Sequence, residues 1–178
     1  MRSIPRSSAF SRGGTFLLGG VFMQLNLDLD GIEFRFRITK YEKSNSENLY
    51  KLYDQWCIVE LSLRSGSWLN YQISSEVLLS YEVEEIRDKI SDFLEDKIQL
   101  QEELGFVEPD LTFIINPKVD IDLQIHFWDE GLTANYLSLC FDRNNLECLL
   151  VYLRYITKEI QTDDEMLQKL IADNVIRI

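Results

Sequence analysis

The sequence predicts an α+β protein in which an antiparallel β-sheet built from hairpins carries two main helices packed on it. Three observations support this fold class: several segments alternate apolar and polar residues, two segments repeat apolar residues every three or four positions, and the order is strands, helix, strands, helix. The chain has 178 residues, of which 46% are hydrophobic, enough for a sizeable core. We expect residues 23–178 to form one domain.

Residues 1–22 differ in composition from the rest of the chain. They carry three of the 18 basic residues and none of the 30 acidic ones, together with four glycines and four serines. The apolar run 16–22 after these arginines suggests a signal peptide, but Gly19 and Gly20 interrupt it and no cleavage site of the A-x-A type follows. We therefore expect a disordered N-terminal extension with Met23 as the functional start, and a signal peptide is the alternative.

The first hairpin is the clearest structural feature of the sequence. Leucines alternate with polar residues over 25–29, and apolar residues alternate with charged residues over 32–38. Asp30-Gly31 lies between these two runs and is typical of a type I′ turn, because glycine tolerates a positive φ. Residues 42–55 are polar and predict a loop, with one helical turn near 49–53.

A second hairpin is predicted from 56–64 and 68–74, around the turn Ser65-Gly66-Ser67. Residues 82–104 then repeat apolar residues at helical spacing, and Gly105 would end that helix. Three further strands are predicted at 106–115, where Pro109 interrupts the run, at 119–128 and at 135–142.

Two more helices follow these strands. Asn144 with Glu147 three residues later forms a capping-box pattern, so the second main helix is predicted to begin there. Thr162 and Glu165 repeat the pattern and predict a short third helix over 163–172.

Composition excludes several classes of function. A net charge of -12 argues against binding nucleic acid, because affinity for phosphates comes from clustered Lys and Arg. The charge allows a basic partner, although solubility alone would also explain it. No apolar run approaches the roughly 20 residues that a membrane-spanning helix needs. Three cysteines without a CxxC pair indicate reduced thiols in a cytoplasmic protein.

The sequence predicts no catalytic residues, no cofactor and no metal site. Its single histidine, His126, lies on the polar side of a predicted strand, and neither a GxSxG motif nor a P-loop nor a GxGxxG motif occurs. A metal site would need convergent His and Cys ligands. An enzyme would have to depend on His126, and we treat that as the least favoured alternative.

The predicted first helix is unusually acidic. Residues 82–103 hold nine acidic and three basic residues. Four of the acids recur every fourth position and form what we call the helix row: Glu84, Asp88, Asp92 and Asp96. Each neighbouring pair of like charges opposes helix formation by roughly 0.2–0.5 kcal/mol. We interpret the helix row as a partner-binding surface, and a simply solvated helix face is an equal alternative.

A second acidic surface competes with the helix row. Asp120 and Asp122 lie with His126 on the polar face of the strand predicted at 119–128, and they are equal candidates for a partner interface. A different class of function is a small-ligand-binding or accessory protein whose pocket would be lined by Trp56, Trp68 and Trp128. Aromatic residues at strand spacing are more often core residues than pocket linings.

Three features of the sequence stand out together: the opening hairpin, the strand Trp56-Cys57-Ile58-Val59-Glu60-Leu61, and the acidic helix before Phe106-Val107-Glu108-Pro109-Asp110-Leu111. In these features the chain from Met23 to about Ile160 resembles the small bacterial WapI-type immunity proteins. Later strands and the closing helix agree in order and length. For Glu108 itself, a structural role at the start of an edge strand is favoured over a role in binding.

The resemblance implies a function by binding. An immunity protein of this kind holds the effector domain of a cognate toxin and blocks its active site, without catalysis of its own. Many such toxins are nucleases and therefore basic, which suits an acidic inhibitor. The family transfers no contact residues to named positions here.

Overall fold

The computed structural model describes residues 23–43, 55–128 and 131–178, and within them it contains nine strands and three helices. In chain order these are β1 Gln24–Leu29, β2 Ile32–Thr39, β3 Trp56–Ser65, β4 Leu69–Leu79, α1 Ser80–Leu94, β5 Glu102–Gly105, β6 Leu111–Asn116, β7 Asp120–Trp128, β8 Leu132–Phe141, α2 Arg143–Ile156, α3 Glu165–Ala172 and β9 Ile176–Arg177. The α+β class predicted from the sequence is confirmed. The predicted N-terminal extension and most of the predicted loop at 42–55 lie outside the described residues.

The strands form two antiparallel sheets, whereas one sheet was predicted from the sequence. The first sheet has the order β4-β3-β2-β1-β9, and the second has the order β5-β6-β7-β8. The four strands between α1 and α2 pair with one another to form the second sheet, whereas β9, at the end of the chain, joins the first sheet beside β1. Strand β9 had no signal in the sequence, because two residues are too short to show an alternation.

Both predicted hairpins of the first sheet are confirmed. Asp30 and Gly31 have φ values of 52° and 88°, as the type I′ turn requires, and the Gly31 amide donates to Asp28 Oδ1 at 2.7 Å. Strand β4 is five residues longer at its end than predicted. Its last three residues, 77–79, are buried and lead directly into α1.

The first helix is shorter than predicted: it ends at Leu94, whereas the apolar spacing extends to residue 104. Asp96 lies in the left-handed region, with φ of 56°, and redirects the chain. Ile98 stays buried after this turn at 6% exposure, so it continues the apolar pattern without continuing the helix. Residues 102–105 form β5, and Gly105 ends a strand.

The other boundaries differ by a few residues. Strand β6 begins at Leu111, because 106–110 form the turn that contains Pro109. Helix α2 is capped by Asp142, whose side chain accepts the Asn145 amide, and not by Asn144. Helix α3 is capped by Asp164 and not by Thr162. The cap of α2 lies two residues before the predicted one, and the cap of α3 lies two residues after it. In both helices the residue that caps the helix is an aspartate close to the predicted position.

One hydrophobic core joins the inner faces of both sheets to the apolar sides of α1 and α2. The ring of Phe34 in β2 meets that of Phe141 in β8 edge to face, with centroids 5.2 Å apart. Ile86 of α1 and Leu149 of α2 are buried in the same cluster. Because strand side chains alternate, the polar residues of each sheet face outward. None of the helices described is long and apolar enough to cross a membrane.

Candidate functional site

The helix row is shorter on the structure than in the sequence. Glu84, Asp88 and Asp92 lie on α1, whereas Asp96 follows its last residue by two positions and sits in the turn. The structure therefore brings three of the four carboxylates into one line along the helix. Asp96 is separated from the other three because α1 ends at Leu94, earlier than predicted.

Each carboxylate of the helix row has a partner within the chain. The partners are Tyr41 Oη for Glu84 at 2.5 Å, Arg87 for Asp88 at 2.6 Å, Lys97 for Asp92 at 3.3 Å and Arg143 for Asp96 at 3.3 Å. Three of these partners are cations, so much of the negative charge is balanced in place. Exposed ion pairs of this kind contribute little to stability, but they weaken the negative electrostatic field that would attract a basic protein partner.

The second acidic surface, which we call the sheet cluster, consists of Asp120 and Asp122 on β7 and Cys140 on β8. One polar atom from each residue lies within 4.8 Å of the other two. Cys140 Sγ donates to Asp120 Oδ2 at 3.3 Å, and Asn116 Nδ2 donates to Asp120 at 2.7 Å and to Asp122 at 3.1 Å. These bonds hold the polar atoms together through neutral donors.

No Lys or Arg in residues 23–43, 55–128 and 131–178 forms an ion pair with Asp120 or Asp122. The local potential is therefore negative. Partial burial, followed by the hydrogen bond to Asp120 and the nearby charges, raises the pKa of Cys140 to about 11. The thiol is protonated at neutral pH, which does not suit a nucleophile.

His126 lies on the same outer face as the sheet cluster. Its ring packs on Tyr136 of β8, with centroids 5.6 Å apart. Its backbone amide donates to the Asp110 carbonyl at 2.9 Å. The contacts that the structure gives this histidine are those of a side chain packed on an exposed sheet.

A group of exposed apolar side chains lies where β7 meets β8, a surface that was not predicted from the sequence. This apolar patch comprises Trp128, Leu132 and Tyr136, which are 50%, 49% and 51% exposed. Phe127 points to the opposite face of β7, where its ring meets Tyr71 of the first sheet. Trp128 Nε1 donates to Asp110 Oδ1 at 3.1 Å, which fixes the indole at the edge of the patch. The signal that could have found it is the segment 132–141, LTANYLSLCF, in which no residue is charged.

The outer face of the first sheet carries an open groove of about 420 Å³. Its lining includes Arg35, Glu60 and Arg64, and the buried Nε of Arg35 has no hydrogen-bond partner in the part of the chain that the structure describes. The groove is polar, and the three tryptophans do not line it. Trp56 and Trp68 lie at opposite ends of the β3–β4 hairpin, about 30 Å apart by the rise of ten strand residues.

The Phe106–Leu111 segment is anchored by a buried carboxylate. Glu82 is 2% exposed, and its two oxygens accept the Leu79 amide and the Val107 amide, each at 2.7 Å. Burial raises the pKa of Glu82, while the two backbone hydrogen bonds act in the opposite direction. The segment therefore has a structural role, because it is the point where the β5–β6 connection meets the start of α1.

These features define an acidic α+β protein whose exposed surfaces are suited to recognition: carboxylate clusters and an apolar patch beside a strand edge. A sequence model of the immunity protein WapI-like family matches residues 24–161, more than half of the chain. The chain belongs to the WapI-like immunity protein family, as the resemblance indicated. The match begins with β1 and ends after α2, so it includes both acidic surfaces and the apolar patch. No curated protein matches the chain.

Proposed function

We propose that this protein is an immunity protein that binds and neutralises a cognate bacterial toxin domain, acting by stoichiometric binding without catalysis. The observation that carries the proposal is the family match over residues 24–161. The sheet cluster supports a binding role, because its two carboxylates accept hydrogen bonds from the neutral Asn116 amide. The single histidine of the chain, His126, packs against the Tyr136 ring.

The partner we propose is basic. The chain has a net charge of -12, and complementary charge steers two proteins toward each other and favours the correct partner over others. A toxin domain that acts on nucleic acid needs Lys and Arg to hold phosphates. Carboxylates placed over those cations would occupy the phosphate positions and exclude the substrate.

The partner-binding residues we propose are the six acids predicted from the sequence: Glu84, Asp88, Asp92, Asp96, Asp120 and Asp122. The sheet cluster is the stronger of the two surfaces, since its carboxylates have no cation partner in the described part of the chain. The helix row would have to exchange its internal partners for those of the toxin. We therefore expect the sheet cluster to contribute more to affinity.

We propose the cytoplasm as the site of action. The described cysteines, Cys57, Cys140 and Cys148, are free thiols, and reduced thiols are typical of that compartment. Binding there would neutralise toxin that reaches the interior of the cell.

The proposal is tested with the cognate toxin domain, carrying an inactivated active site; the place to look for it is the carboxyl terminus of a long secreted protein encoded by the neighbouring upstream gene. The full chain should co-purify with this domain, and its expression should protect cells against the active toxin. Asp120→Lys combined with Asp122→Lys should weaken binding at least tenfold. Asp88→Lys combined with Asp92→Lys should have a smaller effect.

Glu147→Lys is the matched control, because this exposed glutamate of α2 belongs to neither acidic surface and should leave binding within about twofold. Circular dichroism would check that each variant is folded. Absence of any complex between the wild-type chain and the toxin domain would reject the function. Unchanged affinity in both double variants would reject the assignment of the acidic surfaces.

A small ligand is the second candidate, and the groove around Arg35 favours it. A buried guanidinium nitrogen without a partner suits an anionic group. A thermal shift screen with small carboxylates and phosphates would separate the two functions. A specific compound that raises the midpoint, with the effect lost in Arg35→Gln, would favour the ligand.

A further inference from the structure

Strand β8 is an unprotected sheet edge. It is the last strand in the order β5-β6-β7-β8, and β7 is its one strand neighbour among the described residues. Four of its first five residues are exposed. The outer side of such a strand offers backbone N–H and C=O groups to any extended chain that reaches it.

The four edge strands of the described sheets differ in how they avoid unwanted pairing. Strand β4 carries Glu76, β5 is four residues long with two glutamates, and β9 is two residues long with Arg177. Strand β8 is ten residues long and contains neither a charged residue nor a proline. Although 27% of the residues in the sequence are charged, β8 is the one edge strand among the described residues without the usual protection.

The apolar patch extends along the same strand. Leu132 and Tyr136 belong to β8, and Trp128 belongs to the end of β7 beside it. All three are about half exposed. Aromatic side chains gathered at one exposed site are typical of protein interfaces.

Carboxylates lie toward both ends of the sheet face beside this edge. Asp110, which precedes β6 on the other side of β7, is at one end, where it accepts the Trp128 indole N–H. At the other end are Asp120 and Asp122, with Asp30 near enough to contribute to the raised pKa of Cys140. The surface thus has an apolar middle and an acidic rim, the usual arrangement of an interface core and its periphery.

This charge pattern selects the occupant. Two copies of the chain pairing through β8 would bring together two molecules that each carry a net charge of -12, so they would repel each other. A strand with apolar residues in its middle and Lys or Arg at both ends meets no such repulsion.

We propose that β8 receives an extended segment of the toxin domain, which adds a fifth strand to the second sheet and covers the apolar patch. Backbone hydrogen bonds to β8 supply affinity, and the patch and rim select a segment with apolar residues flanked by cations. The inference rests on the proposed function and names the surface that performs it.

The test uses the inactivated toxin domain as the probe and titration calorimetry as the readout. Leu132→Lys and Tyr136→Lys each place a cation in the patch at a half-exposed position, where the fold tolerates it. Each should weaken binding at least tenfold, because it removes apolar contact and repels a basic strand. Met166→Lys on α3, where the methionine is 50% exposed, is the matched control and should stay within twofold.

Amide hydrogen exchange on the wild-type chain gives a measurement that needs no variant. In the complex, amides in 132–138 should exchange at least tenfold more slowly, while those in 69–75 of the β4 edge should be unchanged. A wild-type complex in which β8 stays unprotected and both variants bind normally would overturn this inference and leave the function intact. Failure of the wild-type chain to bind would overturn the function itself, and concentration-dependent protection of β8 in the free chain would identify a second copy as the occupant.

Discussion

Glu82 illustrates how one residue can secure two elements at once. Its carboxylate accepts the amides of Leu79 and Val107, so it caps the start of α1 and holds the β5–β6 connection against it. The sequence showed a glutamate in a run of acids and gave no sign that this one is buried. Which glutamate of this acidic run is buried depends on contacts with residues distant in the chain, and the local sequence pattern carries no information about those contacts.

Glu82→Gln should destabilise the protein by about 1–3 kcal/mol, because the amide group that replaces one oxygen cannot accept from a backbone N–H. Urea unfolding would measure the change. Glu85→Gln on the exposed side of the same helix is the control and should stay within about 0.5 kcal/mol. Equal stabilities of the two variants would contradict this role of Glu82.

The effect of Glu82→Gln should also depend on pH. Burial raises the pKa of Glu82 above its ordinary value of 4.5, so the folded chain retains this proton to a higher pH than the unfolded chain does. The contribution of Glu82 to stability is therefore complete below pH 4.5 and falls as the pH rises through the folded-state pKa. The stability difference between the wild type and Glu82→Gln should be larger at pH 4 than at pH 7, and a larger difference at pH 7 would contradict the raised pKa.

Tyr152 has a comparable role inside the core. Its hydroxyl accepts the Ile38 amide at 2.8 Å and donates to the Met23 carbonyl at 3.4 Å, where β1 and β2 separate. Tyr152→Phe leaves the buried amide without a partner and should cost about 1–3 kcal/mol. Tyr155→Phe, on the same helix and less buried, should change the free energy of unfolding by less than 0.5 kcal/mol, roughly the scatter expected of a surface substitution. Thermal or urea unfolding of both variants decides the comparison.

At the scale of elements, strands were easier to predict than helix ends. The alternations at 25–29, 32–38 and 119–128 identified strands correctly because each sheet buries one face, and period two leaves a clear trace. The end of α1 was missed because Ile98 is buried after the turn and so preserves the helical spacing. The division into two sheets depends on which strands meet in space, and a single sequence does not record that.

The junction between α1 and α2 is held by Arg143. Its guanidinium donates to the Leu94 carbonyl at the end of α1, pairs with Asp96 and lies 6.0 Å from the Phe93 ring centroid. Arg143→Ala should lower stability by about 1 kcal/mol, because these contacts are partly exposed and individually modest. Lys169→Ala removes one positive charge from α3 and is the control. Faster amide exchange at 93–97 in Arg143→Ala, and unchanged exchange there in Lys169→Ala, would support the assignment.

At the scale of the whole molecule, charge is the property that the sequence predicted most directly. The net charge follows from composition, but its distribution required the structure. Three carboxylates of the helix row pair with cations, whereas Asp120 and Asp122 have only neutral hydrogen-bond donors among the described residues. The apolar patch beside them was missed because its residues come from two strands and become one surface only through the β7–β8 pairing.

Association with the toxin domain should depend on ionic strength if opposite charges guide it. The association rate constant should fall at least tenfold between about 50 mM and 500 mM salt, since screening shortens the reach of the field, while the dissociation rate changes less. Stopped-flow or surface-based kinetics would measure both. An association rate independent of salt would contradict a basic partner.

The central claim is neutralisation by stoichiometric binding, and titration of toxin activity tests it most directly. Increasing amounts of the full chain are added to a fixed amount of active toxin domain, at a toxin concentration well above the dissociation constant, and residual activity is measured. We predict a linear decline that reaches zero at one equivalent and does not change with incubation time. Loss of toxin activity at a small fraction of one equivalent, growing with time, would show turnover and contradict the claim, as would full activity at excess.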